Sequence, residues 1–139
     1  MTTATLTSNN LPRDLTASSN QPVFGLSITP YSNNVDAIFR LAKLADESGL
    51  DIIGIQDHPY NGSFFDTWTL ISALASSTRR IRFFPDVSDL PMRQPAILAK
   101  SVATLDIITK GRVELGLGAG GSGTLFILGR DQESAWRGG

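Results

Sequence analysis

Short apolar runs alternate along this chain with longer stretches in which apolar residues recur every three or four positions. Val23 to Ile28 is a short run ended by Thr29-Pro30 and predicts a buried strand. Ile38, Leu41, Ala42 and Ala45 then recur at helical spacing. Asn34 is placed to cap that helix and Gly49 to stop it. Asp51 to Ile55 predicts a second strand, followed by a loop rich in Pro, Asn and Gly. Asp66 is a candidate cap for a helix from Thr67 to Ser76, and Ile81 to Phe84 predicts a third strand. Pro95 opens a third helix that runs to Thr109 and closes at Lys110-Gly111, after which Val113 to Leu117 predicts a fourth strand.

The order is therefore β-α-β-α-β-α-β with short connections, which indicates α/β architecture with a parallel sheet and right-handed crossovers. The doubly wound open sheet and the closed eight-stranded barrel share this beginning, and periodicity does not separate them. In a barrel, Ile53, Ile55, Ile81, Phe83 and Leu115 are expected to face the opposite wall. Residues 21–121 hold the whole pattern. Met1 to Asn20 is rich in Thr, Ser and Asn and reads as a disordered leader, without the basic start and apolar core of a signal peptide.

Composition narrows the chemistry. Of the 139 residues, 41% are hydrophobic and 18% charged, the profile of one globular domain. Twelve basic residues stand against 13 acidic ones with no basic stripe, so nucleic acid is not an expected partner. No stretch approaches the roughly 18 apolar residues of a membrane helix, so no membrane partner is expected either. The absence of cysteine excludes disulfides, thiolate catalysis and cysteine-based metal sites, and fits a reducing cytoplasm.

In parallel α/β folds the working residues gather at the carboxyl ends of the strands. Here those ends read Thr29-Pro30, Gln56-Asp57-His58, Pro85-Asp86-Val87 and Gly118-Ala119-Gly120. His58 is the only histidine in the chain, and an imidazole can give or take a proton near neutral pH. A lone histidine is more often a structural loop residue, and the plain reading of Asp57 is a turn carboxylate bound to nearby amides. Gly116 to Gly121 also satisfies G-x-G-x-x-G after a strand. A dinucleotide site requires a helix at the last glycine and an acidic residue about 20 positions on. The plainer reading is a glycine-rich turn that lets a flat ligand approach the backbone.

Several pieces, in order and spacing, resemble the luciferase-like flavin and deazaflavin oxidoreductases over residues 23–121. They are Ala45-Asp46-Glu47-Ser48-Gly49-Leu50-Asp51, Gln56-Asp57-His58, Ala73-Leu74-Ala75-Ser76-Ser77-Thr78 and Arg80-Ile81-Arg82. Further on stand Arg93-Gln94-Pro95-Ala96-Ile97-Leu98-Ala99-Lys100, Ala103-Thr104-Leu105-Asp106 and Gly111-Arg112-Val113-Glu114-Leu115-Gly116-Leu117-Gly118-Ala119-Gly120. The resemblance implies the N-terminal half of a TIM-type (β/α)8 barrel holding an isoalloxazine-type ring across its strand ends. Asp-His after the second strand resembles the deazaflavin (factor 420) branch, whereas Glu-His is more similar to members that use flavin mononucleotide (FMN). By the same resemblance His58 lies beside the reactive ring and the substrate, and Asp57 helps hold the coenzyme. Asp86-Val87 matches a non-prolyl cis peptide that buttresses the ring, and Gly118, Ala119 and Gly120 match backbone that touches it. Some deazaflavin dehydrogenases carry an acidic proton donor where Gly121 stands, so that chemistry is not implied here.

After Gly121 the resemblance stops. Members of this branch continue Phe-Trp-Asp-Ala-Ile and then reach Gly-Pro-Arg, whereas this chain reads Ser122-Gly123-Thr124-Leu125-Phe126-Ile127. Codons for that peptide, read one base earlier, can spell Phe-Trp-Asp-Ala-Ile-Tyr. Residues 122–139 are therefore expected to be out of frame, or else a divergent tail, without a defined place in the fold. An incomplete, inactive oxidoreductase fragment follows from this, with a non-catalytic half-barrel module and a dinucleotide-binding fragment as alternatives. An uncovered half-barrel is further expected to aggregate or to recruit a second copy as a homodimer.

Overall fold

The computed structural model describes residues 22–129, so the expected leader and the end of the tail lie outside the described residues. Strand β1 (Gly25–Ile28), helix α1 (Val35–Glu47), strand β2 (Ile52–Ile55), helix α2 (Thr67–Ser77) and strand β3 (Arg82–Pro85) follow in order. Then come the two-residue strand β4 (Ser88–Asp89), helix α3 (Pro95–Thr109), strand β5 (Leu117–Gly118) and the short helix α4 (Ser122–Ile127). The ladder β1-β2-β3 is parallel, with Leu26, Ile53 and Phe83 in one row and Ile28, Ile55 and Pro85 in the next. The fold is the first part of a (β/α) barrel.

The predicted fourth strand is present in two pieces. Val113 bridges Phe83 in parallel, and Leu117–Gly118 then pairs with Ser88–Asp89 of β4. Between the two pairings the neighbouring chain turns through Asp86–Val87, whose peptide bond is cis. Helix boundaries follow the expected punctuation. Gly49 (φ 90°) ends α1, and Lys110 (φ 59°) with Gly111 (φ 84°) ends α3. Asp66 caps α2 by accepting from the Thr69 amide at 2.9 Å. Asn34 precedes α1 but makes no side-chain cap, because a turn of 3-10 helix over Ser32–Asn34 already leads into the helix. Helix α4 stands where the sequence pattern predicts none; it buries Thr124 and leaves Phe126 83% exposed.

One expectation about the sheet is reversed. Ile53, Ile55, Ile81 and Phe83 do not face an opposite barrel wall; they are fully buried beneath α1 and α2 with Ile38, Ala42, Ile71 and Leu74. Only Leu115 of that set is exposed, at 42%. Side chains alternate along a strand, so the other face carries Ser27, Gly54, Phe84, Ile52 and Arg82. Gly54 is required there because a Cβ would meet the Phe84 ring at 2.8 Å.

The amino ends of the strands are held by charged side chains turned onto backbone. The Asp46 carboxylate accepts from the amides of Arg79 (2.9 Å), Arg80 (2.9 Å) and Ile81 (2.7 Å), fixing the entry to β3 against the end of α1. Asp51 accepts from the Phe24 amide at 3.0 Å and so sets the start of β1 against β2. The Arg112 guanidinium donates to the carbonyls of Ala75, Ile81 and Thr109 and to the Thr78 hydroxyl. Desolvation would raise the Asp46 pKa, but the three amides and the Arg80 charge outweigh it and hold the carboxyl below 3.8.

Because that pKa is depressed in the folded state, the Asp46 contribution to stability is complete above pH 3.8 and is lost as pH falls through the lower, folded value. Replacement by Ala removes an ionised acceptor from three amides and is expected to cost about 1.5–3 kcal/mol at pH 7. In urea denaturation the gap between Asp46→Ala and the parent chain should narrow towards pH 2–3. An equal gap at both pH values would contradict the assignment.

Candidate functional site

All four candidate segments lie at the carboxyl end of the parallel strands. Thr29-Pro30 follows β1, Asp57-His58 follows β2, Asp86-Val87 follows β3, and Gly118-Ala119-Gly120 spans the end of β5. Parallel pairing of β2 with β3, and of β4 with β5, brings these strand ends to one side of the sheet. Val87 is 43% exposed, and Asp86, Ala119 and Gly120 are exposed beside it. The result is an open patch of backbone and small apolar side chains.

Asp57 sits differently from the rest. It is 3% exposed, and its carboxylate receives Arg93 Nε at 2.8 Å, Arg93 Nη2 at 2.5 Å and the Asp89 amide at 3.0 Å. The same guanidinium donates to Asp66 at 2.8 Å. A bidentate pair of this kind satisfies a buried carboxylate without a ligand. Burial alone would lower the Arg93 pKa, but the bonds and charges of Asp57 and Asp66 raise it well above the ordinary value. Burial likewise would raise the Asp66 pKa, yet the Thr69 amide and hydroxyl and Arg93 hold that carboxyl below 3.8. Arg93 opens a stretch that resembles the family, but the resemblance implies no role for it. Its spacing of 36 residues from Asp57 carries no sequence signal.

His58 is half-buried in an aromatic group. Its Nδ1 lies 2.8 Å from the Tyr60 hydroxyl, and its ring packs on Tyr60 (5.5 Å between centroids) and Phe64 (5.9 Å). Phe64 meets Tyr31 edge-on at 4.9 Å and bridges it as an antiparallel pair, which fastens this loop to the end of β1. Among the described residues no hydrogen bond engages His58 Nε2.

The glycine run has an internal cause. A Cβ on Gly118 would meet Val87 Cγ2 at 2.5 Å, and one on Gly116 would meet the Pro85 carbonyl at 2.7 Å. These glycines let β5 close against Asp86–Val87. A six-residue helix follows Gly121, but the run lies after the third long helix rather than after the first strand, where a dinucleotide fingerprint belongs. Asp89, which no sequence pattern marks, is 5% exposed; its Oδ2 receives the Thr124 hydroxyl and its Oδ1 has no partner among the described residues.

Removing the guanidinium leaves Asp57 buried and uncompensated, so Arg93→Ala is predicted to destabilise the chain by about 3–5 kcal/mol. Arg93→Lys should recover only part of this, since an ammonium cannot present a planar fork. Denaturant midpoints of the two variants against the parent measure both effects, and a loss below about 1 kcal/mol for Arg93→Ala would remove the pair from its central place.

Comparison with known proteins agrees with the geometry. The family model described as luciferase-like monooxygenase matches residues 1–137. The 5,10-methylenetetrahydromethanopterin reductase of Methanolobus tindarius is 37% identical over 106 residues, covering 76% of this chain and 31% of the relative. Among solved structures, the coenzyme F420-dependent tetrahydromethanopterin reductase of Methanopyrus kandleri superposes with a TM-score of 0.67 at 30% identity, covering 77% of this chain and 30% of that one. The oxygenating constituent of 3,6-diketocamphane monooxygenase from Pseudomonas putida, in complex with FMN, gives a TM-score of 0.69 at 30% identity, covering 80% and 34%. The chain thus spans about a third of the length of these relatives. No helix among the described residues is long and apolar enough to cross a membrane. With the barrel order of its elements and a family match along nearly all its length, this chain belongs to the luciferase-like monooxygenase family of oxidoreductases.

Proposed function

We propose that the open strand ends form the first part of a site for an isoalloxazine-type ring, FMN or a deazaflavin coenzyme, in an oxidoreductase acting on a small molecule. The observation that carries this reading is convergence. The exposed Asp86–Val87 and Gly118–Gly120 backbone meets on one side of the sheet that also ends at the only histidine. The Asp-His pair favours the deazaflavin (factor 420) coenzyme over FMN. A flat ring fits such a patch because Ala119 and Gly120 are exposed and carry no large side chain, and Val87 offers an apolar face.

When bound, the ring supplies the hydride or electron transfer. The chain's own residues bind and orient it. Val87 presents apolar surface that excludes water from one face, and the amides near Gly118, Ala119 and Gly120 are donors for polar ring edges. His58 holds a proton beside the reacting centre. Asp57 acts at one remove: with its carboxylate occupied by Arg93, it positions His58 and the β2 loop. Later barrel loops, which ordinarily hold phosphate, belong to the part of the relatives that this chain does not span. The 139-residue chain is therefore proposed to bind the ring weakly and to show no turnover. Whether residues 122–139 are out of frame is decided by the nucleotide sequence after the Gly121 codon.

Titration of the chain into FMN, followed by flavin fluorescence, is expected to give saturable binding with Kd above about 1 μM. Ala119→Trp, which fills the patch from an exposed position, should abolish it. Saturation unaffected by Ala119→Trp would displace the site, and tight binding with turnover would contradict an incomplete one.

The second reading, a non-catalytic half-barrel that pairs with another copy, is supported by the exposure of Ile107 (78%), Ile108 and Phe126. A discrete dimer in light scattering, together with no flavin binding, favours it over the first.

A further inference from the structure

His58 and Tyr60 make one hydrogen bond, between the phenol oxygen and Nδ1 at 2.8 Å. A neutral imidazole has one N–H and one bare nitrogen, so the direction of this bond fixes what Nε2 can do. Phenol is the stronger hydrogen-bond acid of the two groups and an imidazole nitrogen the stronger acceptor, so the favourable direction is O–H to Nδ1.

The surroundings hold Tyr60 for this task. The Asn61 amide donates to the His58 carbonyl at 2.9 Å, and the Phe64 amide donates to the Asn61 carbonyl at 3.0 Å, which winds the loop tightly around the pair. The Ser32 amide donates to the Ser63 carbonyl at 2.8 Å and ties the loop to the segment after β1. On its other side the Tyr60 ring lies against Gly123, so closely that a Cβ there would come within 2.6 Å of the ring's Cζ. The first turn of α4 thus packs on the phenol that contacts the histidine.

We propose that Tyr60 is a positioning residue that fixes the proton of His58 on Nε2, so that the histidine meets its ligand as a hydrogen-bond donor and not as a base. The ligand chemistry this selects is an acceptor atom, a carbonyl oxygen or bare ring nitrogen of the cofactor or substrate. That part rests on the proposed ring site, whereas the tautomer does not. The pairing also makes α4 part of the site, because Gly123 is the contact that holds Tyr60 in place.

The chain contains a single histidine, so its imidazole can be read without ambiguity in the full, tag-free protein labelled with 15N-histidine. Long-range 1H–15N correlation spectra, taken where the ring is neutral, are expected to show Nε2 protonated and Nδ1 bare. Tyr60→Phe keeps the ring and removes the hydroxyl, and Gly123→Ala displaces the phenol; each should move both nitrogen shifts towards the average of mixed tautomers. A parent chain that already shows mixed tautomers or Nδ1–H would overturn the proposal, and so would an unchanged signature in both variants. Added FMN should shift Nε2 more than Nδ1. A tautomer fixed on Nε2 with no response to FMN leaves this assignment standing and counts against the ring site alone.

Discussion

A buried carboxylate must be answered by charge and hydrogen bonds or the fold around it does not persist, and Asp57 is that carboxylate here. Arg93 answers it with two bonds and reaches Asp66 with the same guanidinium, while the Asp89 amide takes a third position. The four partners come from the end of β2, the cap of α2, strand β4 and the turn before α3. One ion cluster therefore joins the end of β2 to β4 and to the segments that lead into α2 and α3. Its charges are secured in both directions: Arg93 is held protonated by two carboxylates, and Asp66 is held ionised by Thr69 and Arg93 against the effect of burial. The frame around His58 consequently keeps its charge pattern across the neutral range.

The two ends of the sheet divide the work. At the amino ends, Asp46, Asp51 and Arg112 spend their charges on backbone amides and carbonyls. A cavity of about 1100 Å³ opens there, lined by Asp51, Arg80, Arg82, Asp106, Lys110 and Glu114 among others. Arg80 is committed to the carbonyls of Asp46 and Leu50, and Arg82 is paired with Glu114. Size alone would place a ligand in that space, but its polar groups are largely committed to the protein itself. At the carboxyl ends the reverse holds. Structure is carried by the buried cluster, while Asp86, Val87, Ala119 and Gly120 stay exposed and no described residue hydrogen-bonds His58 Nε2.

Much of this was legible in the sequence, for identifiable reasons. Helical spacing in α1, the aspartate before α2 and the Lys110-Gly111 stop each rest on local chemistry, and each stands in the structure. The strand faces were not legible. Ile52-Ile53 and Phe83-Phe84 place apolar residues at adjacent positions, so alternation gives no sign of which one meets the helices. The contact of Gly54 with the Phe84 ring, which identifies the inner face, appears only in three dimensions. The site was legible as a set of strand ends but not as a network. Asp57 and Arg93 lie 36 residues apart, and β4, two residues long, has no periodicity to read. Tyr60 and Gly123 are likewise ordinary residues until the fold brings them together.

The ligand end of this sheet is proposed to be the end marked by Asp57-His58, Asp86-Val87 and Gly118-Gly120. Backbone amide shifts of the uniformly 15N-labelled chain, followed during titration with FMN, test it most directly, since they register weak binding as well as tight. The largest perturbations are expected on His58, Val87, Ala119 and Gly120, with Asp51, Arg80 and Lys110 unmoved. Perturbations concentrated instead on Arg80, Lys110 and Arg112, around the cavity at the amino ends, would contradict it.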